Sequence, residues 1–243
     1  MNMKNLLIIC LILLSFAINA QEKKLSWDYP VKPDMEKWSQ FKSLDDMYKS
    51  CQIPDAFLKR LDTESLVDIC LSFPAPPVFP LFNTPQEGFM TYYDNFNGIR
   101  ELFNRKDAGQ YLLKKYSMMS LSDFNPLWPL YKQGQFISHY KFVEAILSQS
   151  QIIESLDTDG RKILLNEALR KLDEKKSMND LFGGSSLEIN AWIIGKVLYR
   201  ENKLVLQGYS QERIQTSIES GLLLDIDVNT LYQEAKIYSY ENK

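Results

Sequence analysis

The chain has 243 residues and a formal net charge of −3, from 28 basic and 31 acidic side chains. This length is sufficient for one large domain or two small ones with a sizeable apolar core. Because the sequence contains no run of lysine and arginine residues, we expect no nucleic-acid partner, and there is also no basic amphipathic helix for an anionic membrane.

The first 20 residues have the pattern of a cleaved signal peptide. Lys4 precedes an apolar stretch over residues 6–16, and Ala20 and Gln21 flank a suitable cleavage site. The stretch is shorter than the roughly 20 residues of a membrane span, so an uncleaved anchor is the weaker alternative, as is lipidation of Cys10. We therefore predict a periplasmic or extracellular protein with no stable membrane span after cleavage.

The predicted mature chain begins with a segment that precedes the first strong helix signals. Removing 20 of 243 residues and one lysine leaves 223 residues with a net charge near −4. We predict that residues 21–42 lie extended over one helical domain formed by residues 43–243. Trp27, Tyr29 and Trp38 are the expected anchors of this segment.

Two cysteines remain after the leader, Cys51 and Cys70. Export permits a disulfide between them, and closing a loop of about 20 residues would contribute roughly 3 kcal/mol. Cys70 also lies on an apolar helical stripe, where a free thiol packs well as a small hydrophobe. The sequence leaves the two interpretations open.

Helix-start signals recur along the rest of the chain. A side-chain cap followed by an apolar stripe predicts helices that begin near Ser43, Pro54, Asp62 or Thr63, Thr84, Asp107, Ser185, Ser210 and Asp227. One-sided stripes support them, as at Phe136, Tyr140, Val143 and Leu147. Residues 191–198 are apolar nearly all round, which predicts a central helix. Residues 203–207 are the one strand-like run, and we interpret them as the extension of a helix end or a loop.

The sequence therefore predicts an all-α fold with little or no strand. Helix pairs recur about every 40 to 50 residues, a length that suits antiparallel hairpins and an α-solenoid of the HEAT kind. No residue-level repeat accompanies this spacing.

Two proline-dense apolar segments, residues 73–80 and 125–131, interrupt the helices. Domains that recognise polyproline bind such sequences, but stiff connectors pinned to the core are the leading interpretation. Among the loop aromatics, Trp27, Tyr29 and Trp128 are the candidate contact residues, with core or tethering roles as the stronger alternative.

Residues that could carry catalysis are sparse. The single histidine, His139, falls within an amphipathic helix, and we expect it to be structural. Ser138 and Lys141 match an S-x-x-K motif without its companions. The aspartate-rich turns at 157–160 and 225–229 depart from the pattern of a calcium-binding loop and are better explained as helix caps. The segment Gly183–Ser186 is better explained as a turn than as an anion-binding site. We expect no metal and no cofactor.

Several phrases resemble a family of uncharacterised, secreted, helical bacterial proteins. They lie between residues 27 and 116: Trp27–Pro33, Cys51–Pro54, Phe96–Leu102, Arg105–Ala108 and Leu112–Tyr116. The resemblance implies export and a helical body, and it transfers no catalytic residue.

The functional expectation is an exported, non-enzymatic helical module that binds a protein or a cell-envelope component. A structural partner for another protein would look the same in sequence. The alternative from another class is a secreted glycan or peptidoglycan hydrolase that uses two carboxylates about 5 to 9.5 Å apart in a cleft.

Overall fold

The computed structural model describes residues 25–76, 79–223 and 226–241, without the side chains of residues 179, 240 and 241. The predicted leader and its cleavage site at Ala20 and Gln21 lie outside the described residues. Thirteen α-helices and two short 3₁₀ turns make up the described structure, and these residues form no strand. The prediction of an all-α helical array is confirmed.

The helices follow one another with short connections. In chain order they are α1 (Glu36–Ser39), α2 (Leu44–Ser50), α3 (Asp55–Leu58), α4 (Thr63–Leu71), α5 (Pro85–Asn95), α6 (Asn97–Phe103), α7 (Ala108–Met118), α8 (Leu130–Leu147), α9 (Ser150–Glu154), α10 (Thr158–Ser177), α11 (Asn179–Arg200), α12 (Gln211–Ser220) and α13 (Val228–Glu241). The 3₁₀ turns cover Phe79–Leu81 and Leu121–Asp123.

Local capping explains where several helices begin. The side chains of Ser43, Asp62 and Ser210 accept hydrogen bonds from backbone N–H groups three residues further on, and so begin α2, α4 and α12. Thr84 does the same for α5, which has Pro85 at its first position. The carboxylate of Glu87 reaches back to the backbone N–H of Asn83, 3.0 Å away. These four helix starts are confirmed.

Helix α11 is the centre of the array. Every residue from Ala191 to Leu198 is buried, as the all-round apolar pattern predicts. The helix contacts α8, α9, α10, α12 and α13. In a solenoid each repeat contacts only its neighbours, so a HEAT-like solenoid is not confirmed.

One continuous apolar core runs from Tyr29 to Tyr238. Its N-terminal part is aromatic: the ring of Phe73 lies 4.5 to 5.9 Å from those of Tyr29, Tyr48, Tyr92 and Phe96. Rings at these separations add to the free energy gained from burial alone. The core joins the N-terminal segment to the C-terminal helices.

Cys51 and Cys70 are both fully buried in this core, and both are free thiols in the structure. Burial raises the pKa of each thiol, because the thiolate loses its hydration there.

Three local expectations differ from the structure. The segment 21–42 is not extended throughout, because residues 36–39 form α1, whose Trp38 packs on Phe41. Asp107 precedes α7 but makes no side-chain cap; its carboxylate accepts instead from the hydroxyl of Thr63, 2.8 Å away. The helix predicted to begin near Ser185 starts just after Gly183, whose non-helical backbone at φ 62° separates it from residues 179–182, a helical stretch that the sequence did not predict.

Candidate functional site: an apolar surface on helix α8

The two most exposed large apolar side chains of the described structure, Leu127 and Leu130, lie close together in sequence, just before and at the start of α8. Leu127 is 89% exposed, Leu130 84% and Tyr131 70%. We call residues 126–131 the apolar segment. Scattered exposed hydrophobic residues need no explanation, but three large ones within five positions mark a candidate contact surface.

Trp128 fixes the apolar segment to the body of the protein. Its half-buried ring lies 5.9 Å from Phe124 and 5.8 Å from Phe136, and the ammonium of Lys132 lies 4.6 Å from the ring centre. The side-chain amide of Gln133 donates to the carbonyls of Trp128 and Pro126 at 2.7 and 3.1 Å. The tryptophan is thus a tether, and its neighbours are presented to solvent.

An apolar groove of about 690 Å³ continues along the same helix. Its residues come from the N-terminal segment, α2, the end of α4 and α8: Pro33, Trp38, Leu44, Met47, Leu71, Phe73, Pro74, Ala75, Pro76, Gly134, Gln135, Ser138, His139 and Phe142. Leu130 and Tyr131 stand one helical turn before Gly134 and Gln135 and so share their face of α8. The start of α8 therefore presents Leu130 and Tyr131 on the same side of the helix as the groove.

Small residues keep the groove open along α8. A methyl group added at Gly134 would meet no atom of the described residues within 4 Å, and Ser138 follows one turn later. His139 lies beside Ser138 in the groove, and desolvation there lowers the pKa of its imidazole below 6.5. The groove volume falls in the range of sites that take a small molecule or the side chains of a peptide.

The other two predicted contact residues, Trp27 and Tyr29, are half-buried and buried, respectively. Tyr29 is 4% exposed, and its hydroxyl donates to the carbonyl of Ile69 at 2.8 Å, so it is an anchor and not a contact residue. Trp27 is half-buried against Phe57, with ring centres 5.3 Å apart. The indole N–H of Trp27 has no hydrogen-bond partner among the residues that the structure describes.

Sequence reasoning singled out Trp128 and missed Leu127, Leu130 and Tyr131. The signal that would have found them is the pattern itself. Two prolines in a run of apolar residues prevent a regular helix or strand, so the run cannot turn every side chain towards the core.

The motifs considered for catalysis are explained by structure. Lys141 donates to Ser185 of α11 at 2.8 Å and not to Ser138. The S-x-x-K match therefore does not correspond to a hydrogen-bonded serine–lysine dyad. Asp157 caps α10 by accepting from the backbone N–H of Gly160 at 2.7 Å. Within the described ranges no cluster of three metal-ligating side chains occurs, and Asp225 of the second aspartate turn lies outside those ranges.

A separate small cleft of about 250 Å³ contains the carboxylates of Glu154 and Glu219. Lys196 and Arg200 also line it, and the Lys196 ammonium lies 3.2 Å from the hydroxyl of Ser150. The cleft thus brings two carboxylates and two cations to one concave surface, and it is where the alternative hydrolase hypothesis would place its two acids.

The interior of the array contains a fully buried ion pair between α8 and α10. Lys175 lies 2.6 and 2.7 Å from the two carboxylate oxygens of Glu144, and neither side chain is exposed. The hydroxyl of Tyr116 and the amide of Asn190 also bond to this carboxylate, at 3.0 and 2.9 Å. Such a pair requires these additional hydrogen bonds, because both charges lose their hydration.

No protein-family model, curated protein or solved structure matches the chain. Among the described residues, no helix has the length and apolar character needed to span a membrane.

Proposed function

We propose that the protein is an exported, non-enzymatic helical module that binds another protein through the apolar segment and the adjoining groove. The observation that carries this proposal is the run of Leu127, Leu130 and Tyr131 at 70 to 89% exposure beside an apolar groove. Burying one such side chain contributes about 1.5 to 3 kcal/mol, which provides a strong reason for a partner to cover them.

The shape of the surface favours a protein over a lipid bilayer. A bilayer would contact the protruding leucines and leave the concave groove unfilled, whereas a partner helix or peptide fills both. The net charge of −3 also opposes attraction to an anionic lipid surface. The partner's matching surface would therefore be an apolar or amphipathic segment, for example a helix with apolar residues at i, i+3, i+4 and i+7.

Affinity capture with matched variants tests this proposal. The double variant Leu127→Asp/Leu130→Asp places two charges in the contact surface, and Gly134→Leu fills the groove from a position with open space. Val205→Asp is the control, because Val205 is 66% exposed and lies in a loop outside the surface. Circular dichroism first establishes that all four proteins have the same helical content.

We expect a defined protein from an envelope extract to be retained by the wild type and by Val205→Asp. The same protein should be lost, by at least about tenfold, with each of the two surface variants, which corresponds to 1.4 kcal/mol or more. Equal recovery by all four proteins, or no recovery above background by any, would overturn the proposal.

A further inference from the structure

Three buried side chains with complementary chemistry meet between α8, α10 and α11. They are the amine of Lys175, the carboxylate of Glu144 and the carboxamide of Asn190, and all three have no exposed surface. The amine and the amide nitrogen bond to the same oxygen, Glu144 Oε1, at 2.7 and 2.9 Å. The Lys175 amine and the Asn190 amide are therefore bridged by one carboxylate oxygen of Glu144.

The amide of Asn190 has an incomplete set of hydrogen bonds. Its nitrogen donates to the Tyr116 hydroxyl at 3.0 Å and to Glu144, while its oxygen Oδ1 is buried with no partner in the described part of the chain. The oxygen and nitrogen of an asparagine side chain are assigned from such networks. A half-turn of the amide would let a protonated Glu144 donate to its oxygen, and the Tyr116 hydroxyl could do so once it no longer donates to Glu144. Such donors would make the carbonyl carbon more electrophilic.

The amine of Lys175 is directed at the part of α11 that carries this amide. Its Nζ lies 3.5 Å from the carbonyl oxygen of Ser186, and Ser186 and Asn190 stand four residues apart on one face of the helix. The rings of Tyr140 and Phe182 lie 5.5 and 5.6 Å from Nζ. The site is thus shielded from water, which would otherwise compete with an amine for the carbonyl carbon.

We propose that Lys175 and Asn190 join in an intramolecular amide cross-link that the folded protein forms on itself, with Glu144 transferring the proton. Glu144 takes one proton from the lysine ammonium, and the free amine attacks Cγ of Asn190. Glu144 then returns this proton to the departing amide nitrogen, and it carries the second proton of the attacking nitrogen to the same leaving group. A new C–N bond replaces the old one and an ammonium ion is released, so that atoms and charge balance without any oxidant or cofactor.

Burial supports the first proton transfer. Desolvation lowers the pKa of Lys175, against the opposing effect of Glu144, because an ammonium without water loses its hydration energy. A lysine amine becomes a nucleophile only when it is deprotonated. The fold holds the amine and the amide on one carboxylate oxygen, so the reaction needs no bimolecular encounter.

A second buried lysine provides the internal control. Lys171 is also fully buried, but its ammonium donates to the backbone carbonyl of Met119 at 3.0 Å and to Glu167 at 3.3 Å. Neither of these acceptors is a carboxamide. Lys171→Met therefore removes a buried amine and leaves the proposed reaction intact.

Mass spectrometry of the denatured, trypsin-digested wild-type protein tests the cross-link. Trypsin does not cleave after an acylated lysine, so the cross-link predicts a branched peptide that joins residues 172–176 to residues 177–196, lighter than its two parts by one ammonia. Localisation to this peptide is essential, because cyclisation of an N-terminal Gln21 would lose the same mass. The branched peptide should be absent from Asn190→Ala and Glu144→Gln. In Lys171→Met, where trypsin cleaves after Arg170 instead, it should be present as residues 171–176 joined to residues 177–196.

The wild type decides the outcome even where a variant folds poorly. Complete recovery of the linear peptides 172–175 and 177–196 from folded wild-type protein would overturn the proposal. So would a branched peptide that persists in Glu144→Gln, because the proton would then have another route.

Discussion

The contact between Gly221 and Trp192 provides a quantitative test of how the C-terminal helices pack. Gly221 ends α12 with a left-handed backbone, at φ 72°. A Cβ atom built there would lie 2.8 Å from two atoms of the Trp192 ring. That ring is fully buried, and its N–H donates to the carbonyl of Ile218 at 2.6 Å. The ring therefore has little room to retreat.

Gly221→Ala should consequently lose free energy of unfolding for two reasons. An alanine in the left-handed region costs about 1 to 2 kcal/mol, and overpacking a buried contact costs about 1 to 3 kcal/mol more. We expect a total loss of about 2 to 5 kcal/mol, which in a chain of this size lowers Tm by roughly 2 to 4 °C per kcal/mol.

Gly208→Ala separates the two effects. Gly208 also has a left-handed backbone, at φ 83°, but an added Cβ would meet no atom within 4 Å in the described structure. We expect this variant to lose only the backbone contribution of about 1 to 2 kcal/mol. Urea denaturation followed by far-ultraviolet circular dichroism measures both variants. Equal losses would refute the packing of Trp192 against the end of α12.

Three further predictions follow from single groups. His139 is the one histidine of the chain, so NMR should show a single imidazole with a pKa below 6.5. Between the pKa of the folded protein and that of the unfolded chain, the unfolded chain binds more protons. The free energy of unfolding should therefore fall as the pH falls through this interval in the wild type but not in His139→Gln. The structure predicts that Cys51 and Cys70 do not react with a thiol reagent in the native protein and that both react after unfolding; no reactive thiol after unfolding would indicate a disulfide. If the leader is cleaved, N-terminal analysis of the exported protein should begin at Gln21, and a chain that retains residues 1–20 would contradict export by this route.

Much of the helical framework could be predicted from local sequence because helix capping is local. Ser43, Asp62, Thr84 and Ser210 each bond to a backbone N–H three residues away. Such contacts depend only on residues within one helical turn of each other in the sequence. The apolar run at 191–198 likewise predicts its own burial.

Contacts between distant residues could not be predicted in this way. Glu144 and Lys175 are 31 positions apart, and each is an ordinary charged residue on a helix until tertiary packing buries both. Asp107 is a second example. Its carboxylate accepts a hydrogen bond from the distant Thr63 and so does not form the helix cap that the local pattern predicts.

The candidate site was predicted only in part, through Trp128, for a different reason. The apolar segment reads as core because its composition is apolar, and only the structure shows that Trp128 packs inwards while Leu127 and Leu130 do not. Composition predicts how much apolar surface a segment has, but the direction of each side chain depends on the backbone path that the prolines and the Gln133 hydrogen bonds set.

Site-specific photo-crosslinking in the producing cells tests most directly whether the apolar segment is the contact surface. A photoreactive amino acid replaces Leu127 in one protein and Val205 in another, two exposed positions that differ in whether they belong to the proposed surface. The account predicts a discrete cross-linked protein from position 127 and none from position 205. The same product from both positions, or none from position 127 in folded, exported protein, would contradict it.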